Sequence, residues 1–246
     1  MYKNILFVSD NLEMSRFIFR YIKKYFSSLN TSFSISPFSD IKIFSKLIDT
    51  SFEVFDMKNG KDIDQIINRF DLVFSIHCKQ IFPSKLVHSV KCINLHPGYN
   101  PINRGWYPQV FAIINGLDCG ATLHEIDEKL DHGKIIDRQI VKQKIYDTSL
   151  SLYKKVQKAE LVIFKKNFKN IIKNKYTAFK PEEEGNIFYL SDFKKLTEIK
   201  LTDNILTADL INKLRALSHG DFKNAYFHEP VTNKRVFIKL ELYFEK

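Results

Sequence analysis

Residues 3–9 alternate weakly between apolar and polar side chains and run into Ser9-Asp10-Asn11, a strand followed by turn and cap chemistry. Asn11 or Asp10 can cap a helix reaching about Tyr25, with Phe17, Ile18, Tyr21 and Phe26 among its apolar residues. Short apolar runs follow at 41–47 and 52–57, and a helix is expected over 61–69. Asp71 to His77 and Lys91 to His96 are apolar enough to be buried strands. Pro97 to Pro108 is rich in Gly, Pro and Asn, and so predicts a loop at a strand's carboxyl end. Pro108 can then open a helix through about Asn115, a position that tolerates proline. Two further strands are expected at 121–126 and 134–141, joined by the polar loop Asp127 to Gly133. Asp147 is a candidate cap for a long helix to about Lys173, whose Leu152, Val156, Ala159 and Ile163 keep the spacing of a buried stripe.

Strands alternating with helices predict an α/β protein with a Rossmann-like, doubly wound, mainly parallel sheet. Pro181-Glu182-Glu183-Glu184-Gly185 reads as a hinge between a main domain, 1–180, and a small α+β appendage, 181–246. The appendage should hold a helix near 207–217 and a closing strand, Arg235 to Leu242. That apolar strand and the aromatic tail predict a homodimer contact, since an exposed edge invites pairing.

Composition narrows the classes. With 246 residues, 44 % of them apolar and 27 % charged, the chain can build a full α/β core. The apolar run at the N-terminus is too short for a signal segment. No stretch reaches the ~20 apolar residues that span a bilayer, so a cytoplasmic protein without a membrane partner is expected. Cys78, Cys92 and Cys119 lack the spacing of a disulfide framework or zinc site, and read as buried thiols. The net charge of +10 admits nucleic acid, acidic membrane or small anions as partners. Lysines such as Lys154, Lys158, Lys165 and Lys169 are spread as on a solvated helix face, and no nucleic-acid motif accompanies them.

Candidate chemistry sits at the end of one strand. Residues i and i+2 share a face, so Asn94 and His96 project together, and Pro97 ends the ladder with His96 at its mouth. A neutral imidazole there can take a proton from an attacking nucleophile, help worth roughly a factor of 10²–10⁴. The Asn94 amide can donate to a carbonyl oxygen that gathers charge, and one such donor is worth about 3 kcal/mol. Asp131, ahead of His132-Gly133, is the carboxylate that could hold the histidine's tautomer and favour its protonated form. Such a set suits attack of an amine on an activated carbonyl. On spacing alone, the same residues equally describe a capped strand end and a turn aspartate.

Asn94-Leu95-His96, with Asp131 in Asp-His-Gly, resembles the Asn/His/Asp set of formyltransferases that use 10-formyltetrahydrofolate. The likeness is strong over about residues 70–142 and looser over the rest of 1–180. Many members follow the histidine with Ser-Leu-Leu-Pro; here Pro97-Gly98-Tyr99-Asn100-Pro101-Ile102-Asn103-Arg104-Gly105-Trp106-Tyr107-Pro108-Gln109 is similar instead to the sugar-nucleotide N-formyltransferases. Ser75 to Pro83, Arg215-Ala216-Leu217 and Asn224-Ala225-Tyr226-Phe227 are similar to the same branch.

The resemblance implies a formyltransferase fold and transfer of a formyl group from 10-formyltetrahydrofolate to the amine of a dTDP-linked amino-dideoxysugar. The expected substrate is dTDP-4-amino-4,6-dideoxyglucose, and the expected use is surface polysaccharide (O-antigen) synthesis. By resemblance His96 takes the ammonium proton, Asn94 stabilises the oxyanion and Asp131 orients His96, with no metal. Folate would lie near His77, Cys78, Lys79, Gln80, His124, Ile126 and Asp127. The sugar nucleotide would meet Ser9, Asn11, Lys79, Arg104, Trp106 and Tyr107, with Phe188, Asn224 and Tyr226 around thymine. Core or domain packing stands beside this reading for His77, Cys78, His124, Trp106, Phe188, Asn224 and Tyr226, and plain surface charge for Arg104. Competing functions are formylation of a dTDP-3-amino sugar or of methionyl-tRNA, or a nucleic-acid-binding module on a decayed catalytic fold. Only about 60 residues follow the hinge, short for an RNA-gripping barrel.

Overall fold

A computed structural model describes residues 1–243 and 245. β1 (Asn4–Ser9) has five consecutive buried residues, the mark of a central strand covered on both faces. Asn11 turns the chain into α1 (Leu12–Tyr25), its side-chain oxygen accepting the Met14 amide as an N-cap. Next come β2 (Asn30–Ile35), α2 (Ile41–Leu47), β3 (Phe52–Val54) and α3 (Gly60–Arg69), with Asp40 and Asn59 capping the two helices likewise. β4 (Leu72–Ile76), α4 (Ser84–Ser89) and β5 (Lys91–His96) follow. The chain continues through β6 (Arg104–Gly105), α5 (Pro108–Asn115), β7 (Gly120–Glu125), β8 (Ile135–Ile140) and α6 (Ser149–Ile172). Last are β9 (Ile187–Phe188), α7 (Leu190–Thr197), α8 (Thr207–Leu217), β10 (Ala225–His228) and β11 (Arg235–Ile238).

Seven strands form one mixed sheet in the order β3-β2-β1-β4-β5-β7-β8. β1 to β5 pair in parallel, and β7 runs antiparallel to β5. The winding reverses between β1 and β4, and the carboxyl ends of strands at such a reversal are where open α/β sheets bind ligands. This is the doubly wound, mainly parallel architecture expected from the alternation of strands and helices.

Aromatic packing fixes the sheet. Phe7 stacks on Phe33 at 5.1 Å and on Phe74 at 5.3 Å, and Phe164 and Phe168 of α6 lie against these rings. All but Phe33 of this group are essentially without solvent contact, each contributing roughly 1.5–3 kcal/mol through burial. The predicted stripe of α6 is also buried, from Leu152 through Val156 and Ala159 to Ile163.

Several expectations change. Asp147 is not the cap of α6: Thr148 holds that position and exchanges backbone and hydroxyl hydrogen bonds with Ser151. Asp147 instead accepts from Ser151 Oγ, Lys155 Nζ and the Lys144 amide, bracing the turn before the helix. β2 is a strand the pattern did not announce, because Thr31, Ser32 and Ser34 dilute its apolar signal. The closing strand ends at Ile238, four residues short of the expected Leu242.

By compactness the chain forms two units. One contains residues 1–96, 122–138 and 160–182, and the other 97–121, 139–159 and 183–246. This differs from a single cut at 180, since the loop after β5 and the start of α6 group with the C-terminal stretch.

Candidate active site

β5 presents Asn94 and His96 on one face, and the antiparallel register sets His124 of β7 directly opposite Asn94. The loop after β7 brings Asp131 back to these strands with a left-handed backbone, φ 48°. Gly133 makes that return feasible: a Cβ there would collide with the Glu125 carbonyl oxygen.

Asp131 is the meeting point. Its Oδ1 accepts from Asn94 Nδ2 at 2.9 Å, and its Oδ2 lies 3.5 Å from His96 Nδ1. His124 Nε2 stands 3.6 Å from Asp131 Oδ1 and 3.2 Å from Asn94 Nδ2. His124 Nδ1 lies 2.6 Å from the Glu125 carbonyl, which only accepts, so that nitrogen carries the proton. Nε2 of His124 is thereby left to accept from Asn94. The amide's two hydrogens therefore go one to Asp131 and one to His124. His96 and the Asp131 side chain are both at least nine-tenths buried, which strengthens their mutual field. With its Nδ1 proton turned to Asp131, His96 keeps Nε2 as the basic nitrogen.

These side chains give a base, a hydrogen-bond donor and an orienting carboxylate within one compact unit. Similarity to known proteins agrees. A sequence model described as "Formyl transferase" matches residues 43–167. The chain belongs to the formyl transferase family. Residues 192–243 match the family's "N-formyltransferase dimerization C-terminal domain". A dTDP-4-amino-4,6-dideoxyglucose formyltransferase of Mycobacterium tuberculosis is 42 % identical over 184 residues, covering 75 % of this chain and 78 % of that one. Two crystal structures superpose over nearly the whole length. A 4-N formyltransferase from Francisella tularensis has TM-score 0.89 and 41 % identity, with 99 % of each chain covered. A sugar N-formyltransferase from Shewanella sp. has TM-score 0.91 and 37 % identity, again with 99 % of each covered.

Within this formyl transferase the residues expected near folate divide by what their side chains touch. Gln80 spends its carboxamide on the Met57 amide and the Phe55 carbonyl. Cys78 and Ile126 pack against the core, and burial pushes the Cys78 thiol up to about 12. Asp127 Oδ2 lies 2.6 Å from His132 Nδ1, fixing the loop that carries Asp131. The Lys79 amide donates to Asp10 Oδ2 at 2.7 Å. The His77 ring turns to Glu160, both of whose carboxylate oxygens lie 2.8 Å from Nε2.

Of the residues expected at the sugar nucleotide, Ser9 and Asn11 sit together after β1, bonded through Ser9 Oγ and the Asn11 backbone. Lys79 follows β4 in the same unit, and the others lie in the second unit. Arg104 is buried, its Nε has no hydrogen-bond partner among the described residues, and its terminal nitrogen is 3.7 Å from Glu184. Trp106 and Tyr107 are partly exposed, and Tyr107 packs on Phe193 at 4.4 Å. Phe188 stacks flat on Phe111 at 4.0 Å, Asn224 donates to the Leu217 carbonyl, and Tyr226 lies under the Arg235 guanidinium at 4.6 Å. Each of these last three is engaged in packing its own unit.

Two site residues escaped sequence reasoning. Asp10 ties the ends of β1, β2 and β4 together by accepting from Ser36, Ser39 and the Lys79 amide. Glu160 is wholly buried, and burial raises its carboxyl above the ordinary range against the pull of His77. Its signal was an acid at i+4 from Val156 and i−4 from Phe164, on the apolar stripe itself.

Proposed function

We infer that this formyl transferase moves a formyl group from 10-formyltetrahydrofolate to the C-4 amine of dTDP-4-amino-4,6-dideoxyglucose, as a step toward surface polysaccharide. The observation that carries this reading is the meeting of Asn94, His96 and Asp131 in a chain 42 % identical to a protein of that name. The Francisella relative's 4-N designation supports the C-4 position.

The donor set fits an N-formyl folate. A formyl carbon needs a hydrogen bond on its oxygen and a base near the incoming nitrogen, and these side chains offer both. When bound, the folate supplies the activated one-carbon unit, and His77, Cys78, Lys79, Gln80, His124, Ile126 and Asp127 are the residues proposed to hold it. His96 Nε2 would take the amine's proton as the sugar nitrogen bonds the formyl carbon, and hand it to the donor nitrogen that leaves as its bond to that carbon breaks. Asp131 keeps the imidazole in the required tautomer and balances the charge it gains. Asn94 releases His124 and turns that N–H to the oxygen gathering negative charge, where a preorganised donor counts most. The bond to Asp131, shorter and charge-assisted, stays in place as the pivot.

For the nucleotide, Ser9, Asn11 and Lys79 are proposed at the carboxyl ends of β1 and β4. In the second unit Arg104 is the candidate for an anionic oxygen, because a buried guanidinium with an orphaned Nε gains most from one. Trp106, Tyr107, Phe188, Asn224 and Tyr226 remain proposed nucleotide contacts. The working species is proposed to be a cytoplasmic homodimer.

Incubation with 10-formyltetrahydrofolate and a panel of dTDP-amino sugars, read by mass, tests the reading. Gain of one formyl group on the 4-amino-4,6-dideoxyglucose nucleotide is expected. Formylation of only a 3-amino sugar, or of no sugar nucleotide, would overturn it.

A further inference from the structure

The loop that carries Arg104, Trp106 and Tyr107 is tied down by the C-terminal stretch of its own unit. β6 pairs in parallel with β9. The Arg104 amide donates to the Asn186 carbonyl at 3.2 Å and the Trp106 amide to the Phe188 carbonyl at 2.9 Å. Gly105 stands between them with a positive φ of 90°, and a Cβ there would lie 2.2 Å from the Phe188 oxygen, so only glycine admits this ladder. β9 is anchored in turn, because the Phe188 ring stacks flat on Phe111 of α5.

The chain then turns into α5 through Tyr107, whose backbone is left-handed, φ 49° and ψ 53°. Among the described residues, the non-glycine positions with positive φ are His77, Tyr107, Asp131, Asn174 and Asn233. Asparagine tolerates that conformation, whereas a tyrosine adopts it only when its surroundings impose it. His77 and Asp131 are also residues placed at or near the site, the pattern expected where strain is held for function. The Tyr107 ring is packed by Phe193, with centroids 4.4 Å apart, and meets Trp106 edge-on at 5.7 Å. Phe193 belongs to α7, separated from β9 by Tyr189 alone. No residue of α7 is buried, so Phe193 is not a core residue of that helix; it is half-buried, with Tyr107 as an aromatic neighbour.

We propose that Phe193 is a positioning residue for the sugar nucleotide: its ring holds Tyr107 in the left-handed turn and so fixes Arg104, Trp106 and Tyr107 in the arrangement that receives the substrate. The backbone ladder sets where the loop runs, and the Phe193 ring sets how it turns at its end. Without that ring, Tyr107 relaxes toward ordinary right-handed or extended backbone, and the loop spreads over several arrangements. Only the fraction still in the native arrangement binds, so apparent affinity falls with that fraction. A saturating nucleotide selects the competent arrangement again and leaves the chemical step unchanged. Phe193 lies within residues 192–243, so a segment matched for dimerization also reaches the substrate loop. This inference rests on the sugar-nucleotide reading above and deepens it with a residue outside the proposed contact set.

The test compares the full chain with Phe193→Ala and Phe193→Tyr. It uses steady-state kinetics with 10-formyltetrahydrofolate and the dTDP-amino sugar, calorimetric binding of dTDP, and the emission of Trp106, the single tryptophan of the chain. For Phe193→Ala, a loop that keeps its native arrangement about a tenth of the time predicts a roughly tenfold rise in the dTDP Kd and in KM for the sugar nucleotide. Both kcat and KM for the folate should stay within about twofold. Trp106 emission should shift to the red without ligand and return when dTDP saturates. Phe193→Tyr keeps the ring and should behave as wild type. Phe193→Leu, which also removes the ring, carries the same test if Phe193→Ala does not fold. Unchanged dTDP affinity or an unmoved Trp106 emission would overturn the proposal. So would an equal loss shared by the folate, a fall in kcat, or a Phe193→Tyr chain that behaves like Phe193→Ala. Failure of the wild-type chain to bind dTDP at all would instead sink the sugar-nucleotide reading, and this inference with it.

Discussion

Asn94 has two amide hydrogens and, as folded, two acceptors for them, Asp131 Oδ1 at 2.9 Å and His124 Nε2 at 3.2 Å. On the proposed mechanism, a donor for the reacting oxygen is taken from His124, the neutral and longer of the two bonds. The exchange matters only once charge develops, so its benefit belongs to the transition state. Asn94→Ala should lower kcat by roughly 10²–10³ while KM for the sugar nucleotide stays within about twofold, measured under steady-state conditions. A pure KM effect would recast Asn94 as a binding residue. The residues of this set could be named from sequence because strand period and a proline stop fix where Asn94 and His96 point. The partnership of His124 with Asn94 could not, since it depends on a cross-strand register that no local pattern encodes. Glu160 was hidden for the opposite reason: position 160 keeps the helical period, so a lone acid there looked like noise on an apolar face.

At the scale of elements, the alternation of strand and helix was readable wherever apolar residues were dense, as in β1, β4, β5 and α6. β2 was missed because its hydroxyl residues Thr31, Ser32 and Ser34 carry no apolar signal, and the strand is held by pairing on both sides, a tertiary effect that also buries Ser34. The start of α6 was placed within two residues, but its cap was assigned to the wrong side chain. Asp147 is nearly inaccessible and holds together the turn ahead of the helix. Burial alone would raise its carboxyl, but hydrogen bonds from Lys155, Ser151 and the Lys144 amide outweigh this and hold it below the ordinary range. A depressed folded-state value means the carboxylate's contribution is complete above the unfolded pKa of about 4 and is lost as pH falls through the folded one. Asp147→Asn should cost about 2–3 kcal/mol at pH 7 by urea denaturation. That gap from wild type should narrow below about pH 4. A gap that is constant over this range would show that shape, not charge, makes Asp147 important.

Across the whole molecule, large apolar side chains remain uncovered on the C-terminal hairpin. β10 and β11 form a separate two-stranded antiparallel sheet in which Val236 and Phe237 are 39 % and 43 % exposed. Phe222 ahead of it and Tyr243 after it are exposed further still. A lone hairpin is marginal in water, and apolar rings on its surface are a standing cost unless another surface covers them. The seven-stranded sheet manages one of its own edges differently, ending in a β3 of only three residues, too short to template pairing. The C-terminal stretch also matches the dimerization domain of the family, so a second copy of this chain is the expected cover. Light scattering at micromolar concentration should return about twice the 29.0 kDa of one chain. Phe237→Glu, which sets a carboxylate on the contact, should return one chain mass. The Asn94, His96 and Asp131 arrangement lies in the other compact unit, so the variant's circular dichroism and core packing should match wild type. A wild-type chain that scatters as a stable monomer would leave the exposed hairpin without its proposed partner, and a Phe237→Glu dimer would move the interface elsewhere.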